Sequence, residues 1–286
     1  MMNQRPFFLF VHVPKTGGES FRRALVRCLG HRCVFDYGMF DNVRYPADQV
    51  GIAINQRPDH DCLCAHHLTF DLPYDLPGRP FVAFTLLRDP VARVLSWFFA
   101  VRNHTKLAPR FREMTVSDFV REEVRQGSHW FLANGQLRHL MGEVSEQSLR
   151  RFEEIIRRDN VLAIPLTKIA LAACLLEHRF PDQFSDLSSR HTNISKKDSA
   201  LDPEAEALLR ELVSFDLKAL ALAEAIFAEK VEVARKAEGF NPEAALEDFQ
   251  RRAAARNVAA NSGLTRLRKL MARALSSAAH RIDVDY

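Results

Sequence analysis

Three groups of residues in this 286-residue chain have the types and spacing to handle an anion and a proton. The first is Lys15-Thr16-Gly17-Gly18-Glu19-Ser20, where an apolar run gives way to a helical pattern. Adjacent glycines let a backbone turn tightly and bring its N–H groups close to a ligand. At a helix N-terminus those groups favour negative charge, and Lys15 adds a full positive one. The second group is Arg88, at the end of another apolar run, with Ser96 two turns into the helix that follows. A guanidinium near a hydroxyl suits a second phosphate-type group. The third is His66-His67, which closes the short apolar stretch after Asp61. Imidazole is the side chain that accepts a proton near neutral pH. Adjacent strand residues point to opposite faces, so only one of the two faces the edge that carries Lys15. His66 is the expected base and His67 the alternative.

These residues need elements to bring them together. Phe7 to Val13 is nearly continuous in apolar, aromatic and β-branched residues, which predicts a strand buried on both faces. Phe21, Ala24, Leu25, Cys28 and Leu29 then recur along one helix face. Phe81 to Leu87 is a second strand, ended by Arg88-Asp89-Pro90, with Asp89 placed as N-cap and Pro90 as the first helical residue. Helical pieces follow over Val116 to Arg125 and Trp130 to Met141, and around Leu149, Phe152, Ile155 and Ile156. Asn160 to Leu166 reads as a third strand, with a helix after it near Lys168 to His178. Residues 31–60 read as irregular and 183–200 as a polar loop, while Leu208, Leu212, Phe215, Ala219, Leu222 and Ile226 mark one long helical region. Alternating strands and helices predict an α/β fold, a P-loop-like parallel sheet with helices on both faces. In such a sheet the junctions that carry Lys15 and Arg88 share the carboxyl edge, where ligands bind. Residues 1–236 are expected to form this domain and 237–286 a helical, basic C-terminal extension.

Other chemistries fit less well. The pattern GxxxxGK[ST] is absent, the lysine precedes the glycines, and no magnesium carboxylate is evident. That counts against a nucleotide-dependent kinase, which remains one alternative; a non-catalytic nucleotide-binding protein is the other. A net charge of +4, without basic tracts interleaved with aromatics, gives no reason to expect nucleic acid. The five cysteines (Cys28, Cys33, Cys62, Cys64, Cys174) are odd in number and lack framework spacing, which predicts reduced thiols. Cys62, Cys64, His66 and His67 have no second cluster to complete a tetrahedral site, so no metal is expected. The apolar run near the N-terminus is too short for a signal peptide, and nothing approaches the roughly 20 apolar residues of a membrane span. A cytoplasmic location is the expectation. In the tail, Arg251, Arg252, Arg256, Arg266, Arg268, Lys269, Arg273 and Arg281 accompany Leu267, Leu270, Met271 and Leu275. A basic amphipathic helix of this kind either packs on its own domain or makes a weak contact with a partner or an anionic membrane.

PKTGGES (Pro14–Ser20) followed by LLRDPVARVLSWF (Leu86–Phe98) resembles the 5′-phosphosulfate loop and the 3′-phosphate motif of sulfotransferases. The chain is similar in particular to the branch that contains the heparan sulfate 2-O- and 6-O-sulfotransferases. CAHHLTF (Cys64–Phe70), NGQLRHL (Asn134–Leu140), the TNIS loop (Thr192–Ser195) and FDLKAL (Phe215–Leu220) carry the likeness further, to about residue 230. The resemblance implies transfer of a sulfuryl group from 3′-phosphoadenosine 5′-phosphosulfate (PAPS) to a hydroxyl of a carbohydrate-type acceptor, a glycan or glycoconjugate, with a histidine base and no metal. It assigns the 5′ end of the donor to Lys15, Thr16, Gly17, Gly18, Glu19 and Ser20, and the 3′-phosphate to Arg88 and Ser96. Asn134, Gln136 and Arg138 either touch donor or acceptor, or tie their helix to the sheet. Glu19 departs from the usual Thr or Ser. A helix N-terminus favours its carboxylate, yet that charge opposes an anionic donor unless it is turned outward. The N-terminal membrane anchor of the Golgi members has no counterpart here.

Overall fold

The computed structural model describes residues 5–36, 47–72, 74, 78–102, 111–126, 132–188 and 201–261. The strands are β1 (Phe7–Val11), β2 (Cys33–Asp36), β3 (Cys62–Ala65), β4 (Phe81–Leu87) and β5 (Val161–Pro165). Between and after them run α1 (Gly18–Leu29), α2 (Ala47–Asn55), α3 (Pro90–Arg102), α4 (Val116–Gln126), α5 (Gly135–Met141) and α6 (Glu146–Ile156). The chain continues through α7 (Ile169–Arg179), α8 (Pro203–Leu212), α9 (Ser214–Ala237) and α10 (Pro242–Asn261). All strand pairings are parallel, in the order β2-β3-β1-β4-β5.

Every residue of β1 and β4 is buried, as continuous apolar runs require when helices cover both faces of a parallel sheet. The two-residue alternation of a strand divides them. Phe8, Phe10, Cys64, Phe84 and Ile164 pack with α1, α7 and α10. Phe7, Leu9, Val11, Leu63 and Ala83 pack with α2, α5, α6 and α9 on the other face. A third cluster joins α3, α4 and α8 through Val94, Phe98, Phe119 and Leu209. The C-terminal helix is part of this packing. Phe240 and Phe249 enter the first core, Arg252 pairs with Glu177 at 2.7 Å and Asp186 at 2.6 Å, and Arg256 reaches Ser188 and Asp186. Those two basic residues therefore face the protein itself; residues 262–286 lie outside the described residues. Among the described residues no helix is long and apolar enough to cross a membrane.

The register sets the functional edge. Val11 of β1 aligns with Ala65 of β3 on one side and Thr85 of β4 on the other. The segments leaving β3, β1 and β4 thus emerge side by side at the usual strand spacing of about 4.8 Å.

Four expectations change. Residues 31–60 are not irregular throughout: they hold a 3-10 turn at Gly30–Arg32, then β2 and α2. Both elements are short, and too few residues repeat for a period to stand out. The helix expected from Trp130 begins at Gly135, because Asn134 takes a left-handed conformation (φ 49) and stands outside it. Trp130 itself and the TNIS loop lie outside the described residues. The single long helical region is two helices that meet at Val213. Finally, β3 stops at Ala65, so His66 and His67 sit in the bend beyond the strand and strand alternation does not govern them.

Phe84 shows what holds the sheet to α1. Its ring stacks on Phe10 at 5.2 Å and meets Phe21 edge-on at 5.7 Å, with no exposure. Phe84→Ala should cost about 3–5 kcal/mol through lost transfer energy and a residual cavity. Denaturant unfolding measures this, and a loss below about 1 kcal/mol would contradict the packing described.

Candidate active site

The turn after β1 is strained and pinned from inside. Lys15 adopts φ 71, a conformation that costs a non-glycine residue of order 1–2 kcal/mol. Three successive carbonyls are held by side chains. Thr16 Oγ1 donates to Val13 O at 2.8 Å, Arg93 Nε to Pro14 O at 3.2 Å, and Arg88 Nη1 to Lys15 O at 3.2 Å. Gly17 is left-handed (φ 90), and a Cβ there would also come within 2.8 Å of Leu166. Gly18 opens α1, and its missing side chain leaves room for an imidazole: a Cβ would lie 2.2 Å from His12 Nε2. Among the described residues no side chain caps α1 at Gly17. The amides of a helix's first turn have no acceptor within the helix, so this end is suited to an anion.

Lys15 and Arg88 are the cations brought together here. Burial lowers the Lys15 pKa, and the Arg88 charge lowers it further. Burial also lowers Arg88, partly offset by Asp89. The Arg88 backbone is clamped by one side chain: its N–H donates to Gln136 Oε1 at 2.9 Å, and its carbonyl accepts from Gln136 Nε2 at 2.8 Å. Asp89 accepts from the N–H of Ala92 at 2.7 Å, as an N-cap does. Ser96 is half-buried on α3 and makes no hydrogen bond to Arg88 among the described residues. Ser20 lies half-buried in the first turn of α1. Thr16 is fully buried with its hydroxyl turned inward. Glu19 is held along α1 by Arg22, with two contacts of 2.7 Å, and by Arg23 at 2.9 Å. These pairs lower its pKa to about 2. Two guanidiniums thereby offset the unexpected charge, and a carboxylate so stabilised is a poor proton acceptor.

His66 stands against His12. Its Nδ1 lies 2.7 Å from the His12 carbonyl, which can only accept, so Nδ1 carries the proton and Nε2 keeps its lone pair. Burial lowers its pKa; the backbone hydrogen bond opposes that effect and His67 adds to it. The ring is therefore neutral at pH 7. His67 is half-buried in the same bend.

Sequence reasoning did not single out His12, Arg93, His139 or Asp216. His12 stacks on Phe10 at 5.0 Å and tilts against His66 at 4.5 Å. Burial foremost, then the His66 charge, lowers its pKa to about 3. His139 of α5 is lowered to about 3 by burial and then by His66. Its Nε2 and the Arg138 Nε are buried without a hydrogen-bond partner among the described residues. Asn134 caps α9, accepting from the N–H groups of Phe215 (2.8 Å) and Asp216 (3.1 Å). Asp216 in turn accepts from the N–H groups of Gln136 (3.0 Å) and Leu137 (2.8 Å). The sequence signal was a polar residue in an apolar register: Asp216 shares the buried face of α9 with Ala219, Ala223 and Ile226.

A parallel sheet with a lysine-glycine turn after its central strand and an arginine after the next one defines an anion-handling α/β protein. A family model described as "Sulfotransferase family" matches residues 1–203, more than two thirds of the chain. The chain belongs to the sulfotransferase family. Over 94 residues, 33% of its length, it is 30% identical to a protein-tyrosine sulfotransferase of Arabidopsis thaliana, and the match spans only 17% of that protein. The crystal structure of a sulfotransferase from Alicyclobacillus acidocaldarius is 17% identical with a TM-score of 0.43, covering 78% of this chain and 96% of that one. Among the described residues no group of three or more His, Cys, Asp or Glu side chains is placed to hold a metal ion.

The neutral histidines make stability depend on pH. His12 and His139 titrate near 3 when folded and near 6.5 when unfolded, so between those values only the unfolded chain binds the protons. Their contribution is complete above pH 6.5 and is lost as pH falls, by about 1.4 kcal/mol per unit for each. Urea unfolding should show a loss of about 3–4 kcal/mol from pH 6.5 to 5, an interval in which paired carboxylates stay ionised. His139→Leu should roughly halve the slope; an unchanged slope would contradict the assignment.

Proposed function

We propose that this sulfotransferase moves a sulfuryl group from PAPS to a hydroxyl of a carbohydrate-type acceptor, with His66 as base. The observation that carries the reading is the convergence of Lys15, Arg88 and the neutral, tautomer-fixed His66 at the carboxyl ends of three adjacent parallel strands. Backbone amides of residues 16–20 hold the 5′-phosphosulfate, Glu19 contributing only its N–H. Arg88, which has further N–H groups beside the one on Lys15 O, holds the 3′-phosphate with Ser96. His66 Nε2 takes the proton of the acceptor hydroxyl as its oxygen bonds to sulfur. The bond from sulfur to the bridging phosphate oxygen breaks, and Lys15 neutralises the charge left on that oxygen. Such loose, in-line transfers depend mainly on positioning and charge stabilisation, which these residues supply without a metal. Five free thiols favour a reducing, cytoplasmic setting. The catalytic unit is assigned to residues 1–236, and residues 237–286 to an extension whose terminal basic segment is available for a weak partner or membrane contact.

The donor is tested by calorimetry. 3′-Phosphoadenosine 5′-phosphate (PAP) should bind well ahead of AMP, and Arg88→Ala should remove about 1.5–3 kcal/mol of that preference. Equal affinity for PAP and AMP in the native protein would sink the assignment. For the acceptor, radiolabelled PAPS is offered with desulfated glycans and with tyrosine-containing peptides, the second arm being set by the name of the Arabidopsis relative. Label appearing only on peptide would overturn the carbohydrate class while leaving the donor site intact.

His66→Ala should lower turnover by roughly 10²–10⁴-fold with little change in PAP affinity. Because the His66 pKa lies below its ordinary 6.5, the native rate should begin to fall only below pH 6.5, and the variant should lose that limb. If His67→Ala is the lethal change instead, His67 is the base.

A further inference from the structure

A full positive charge inside a protein core needs a reason, since an arginine there gives up its hydration. Arg93 is the largest fully buried side chain among the described residues, with 1% exposure. Three features converge on it. Its Nε donates to the carbonyl of Pro14, the residue just before the left-handed Lys15. Its guanidinium lies over Gly135, where a Cβ would meet Nη1 at 2.7 Å and Nη2 at 2.8 Å. Gly135 does not take a left-handed φ, so its backbone conformation does not require glycine; the space taken by Arg93 does. Asp216, also 1% exposed, supplies the compensating charge and receives the first amides of α5, the helix that Gly135 opens. Gln136, one residue on, clamps Arg88, whose guanidinium returns to the Lys15 carbonyl. The circuit closes on the Lys15 turn.

We propose that Arg93 is a positioning residue for sulfuryl transfer, holding the Pro14–Lys15 turn so that the Lys15 ammonium is presented to the leaving phosphate oxygen. Gly135 leaves it room and Asp216 keeps it charged. A hydrophobic side chain of similar size would fill the same volume but would leave the Pro14 carbonyl without its donor. The inference rests on the reading of Lys15 given above. It goes beyond that reading by making the lysine's conformation depend on a residue that touches neither donor nor acceptor.

The experiment follows single-turnover hydrolysis of radiolabelled PAPS to PAP and sulfate, with water as acceptor, so no natural acceptor has to be known. Gly135→Ala displaces the guanidinium without deleting its charge, and Arg93→Lys keeps the charge but loses the fork. Each should slow hydrolysis by about 10–50-fold while PAP affinity, measured by calorimetry, stays within about threefold of native, which also shows that the variant is folded. Lys15→Ala added to Gly135→Ala should slow the reaction no further than Lys15→Ala alone, because one variant acts through the other. Native rates in Gly135→Ala and Arg93→Lys, or losses that multiply with that of Lys15→Ala, would overturn the proposal. A native rate in Lys15→Ala alone would overturn the reading of Lys15 itself, and this inference with it.

Discussion

The balance of a buried guanidinium against a buried carboxylate governs how the segments of this protein meet. Burial lowers the pKa of Arg93, which stands at about 10 with the Asp216 charge opposing that shift, and raises the pKa of Asp216, which the Arg93 charge opposes in turn. Removing one member of such a pair typically costs about 3–5 kcal/mol, because the survivor is left charged and dry. The two residues belong to α3 and α9, and they make hydrogen bonds to the β1 turn and to the start of α5. Four segments distant in the sequence therefore share one electrostatic condition, and none can shift without exposing a charge to apolar surroundings.

That condition also reaches past the region matched by the family model. The family match ends at residue 203, whereas the countercharge comes from Asp216, whose backbone N–H, with that of Phe215, is held by Asn134 just before α5. Helix α9 is thus more than a cover for the sheet. It carries the carboxylate that steadies the amides of Gln136, and Gln136 in turn fixes Arg88.

Around this frame the functional edge divides its charges by role. Burial opposes the charge on both Lys15 and Arg88, and the Arg88 charge opposes that on Lys15 further. The histidines are treated in the opposite way. Burial keeps His12, His66 and His139 neutral. A backbone carbonyl, fixed by the end of β1, sets which nitrogen of the His66 ring carries the proton.

The sequence by itself determined the parallel α/β fold, the order of its strong elements and the junctions that carry Lys15 and Arg88. These follow from local rules: continuous apolar runs for doubly covered strands, a helical period after each, and glycines or an Asp-Pro pair at the turns. It left β2 and α2 unread because four and nine residues repeat a pattern too few times. It misplaced Asn134 on a helix because a left-handed residue just before a helix carries no periodic signal. The tertiary structure alone decided that Glu19 is offset by Arg22 and Arg23, that His66 and not merely a histidine pair leans on the His12 carbonyl, and that Arg93, Gly135 and Asp216 occupy one place. Those relations join residues that are far apart along the chain. Burial and charge compensation act through space, and no spacing of letters records which apolar face a lone acid or arginine will meet.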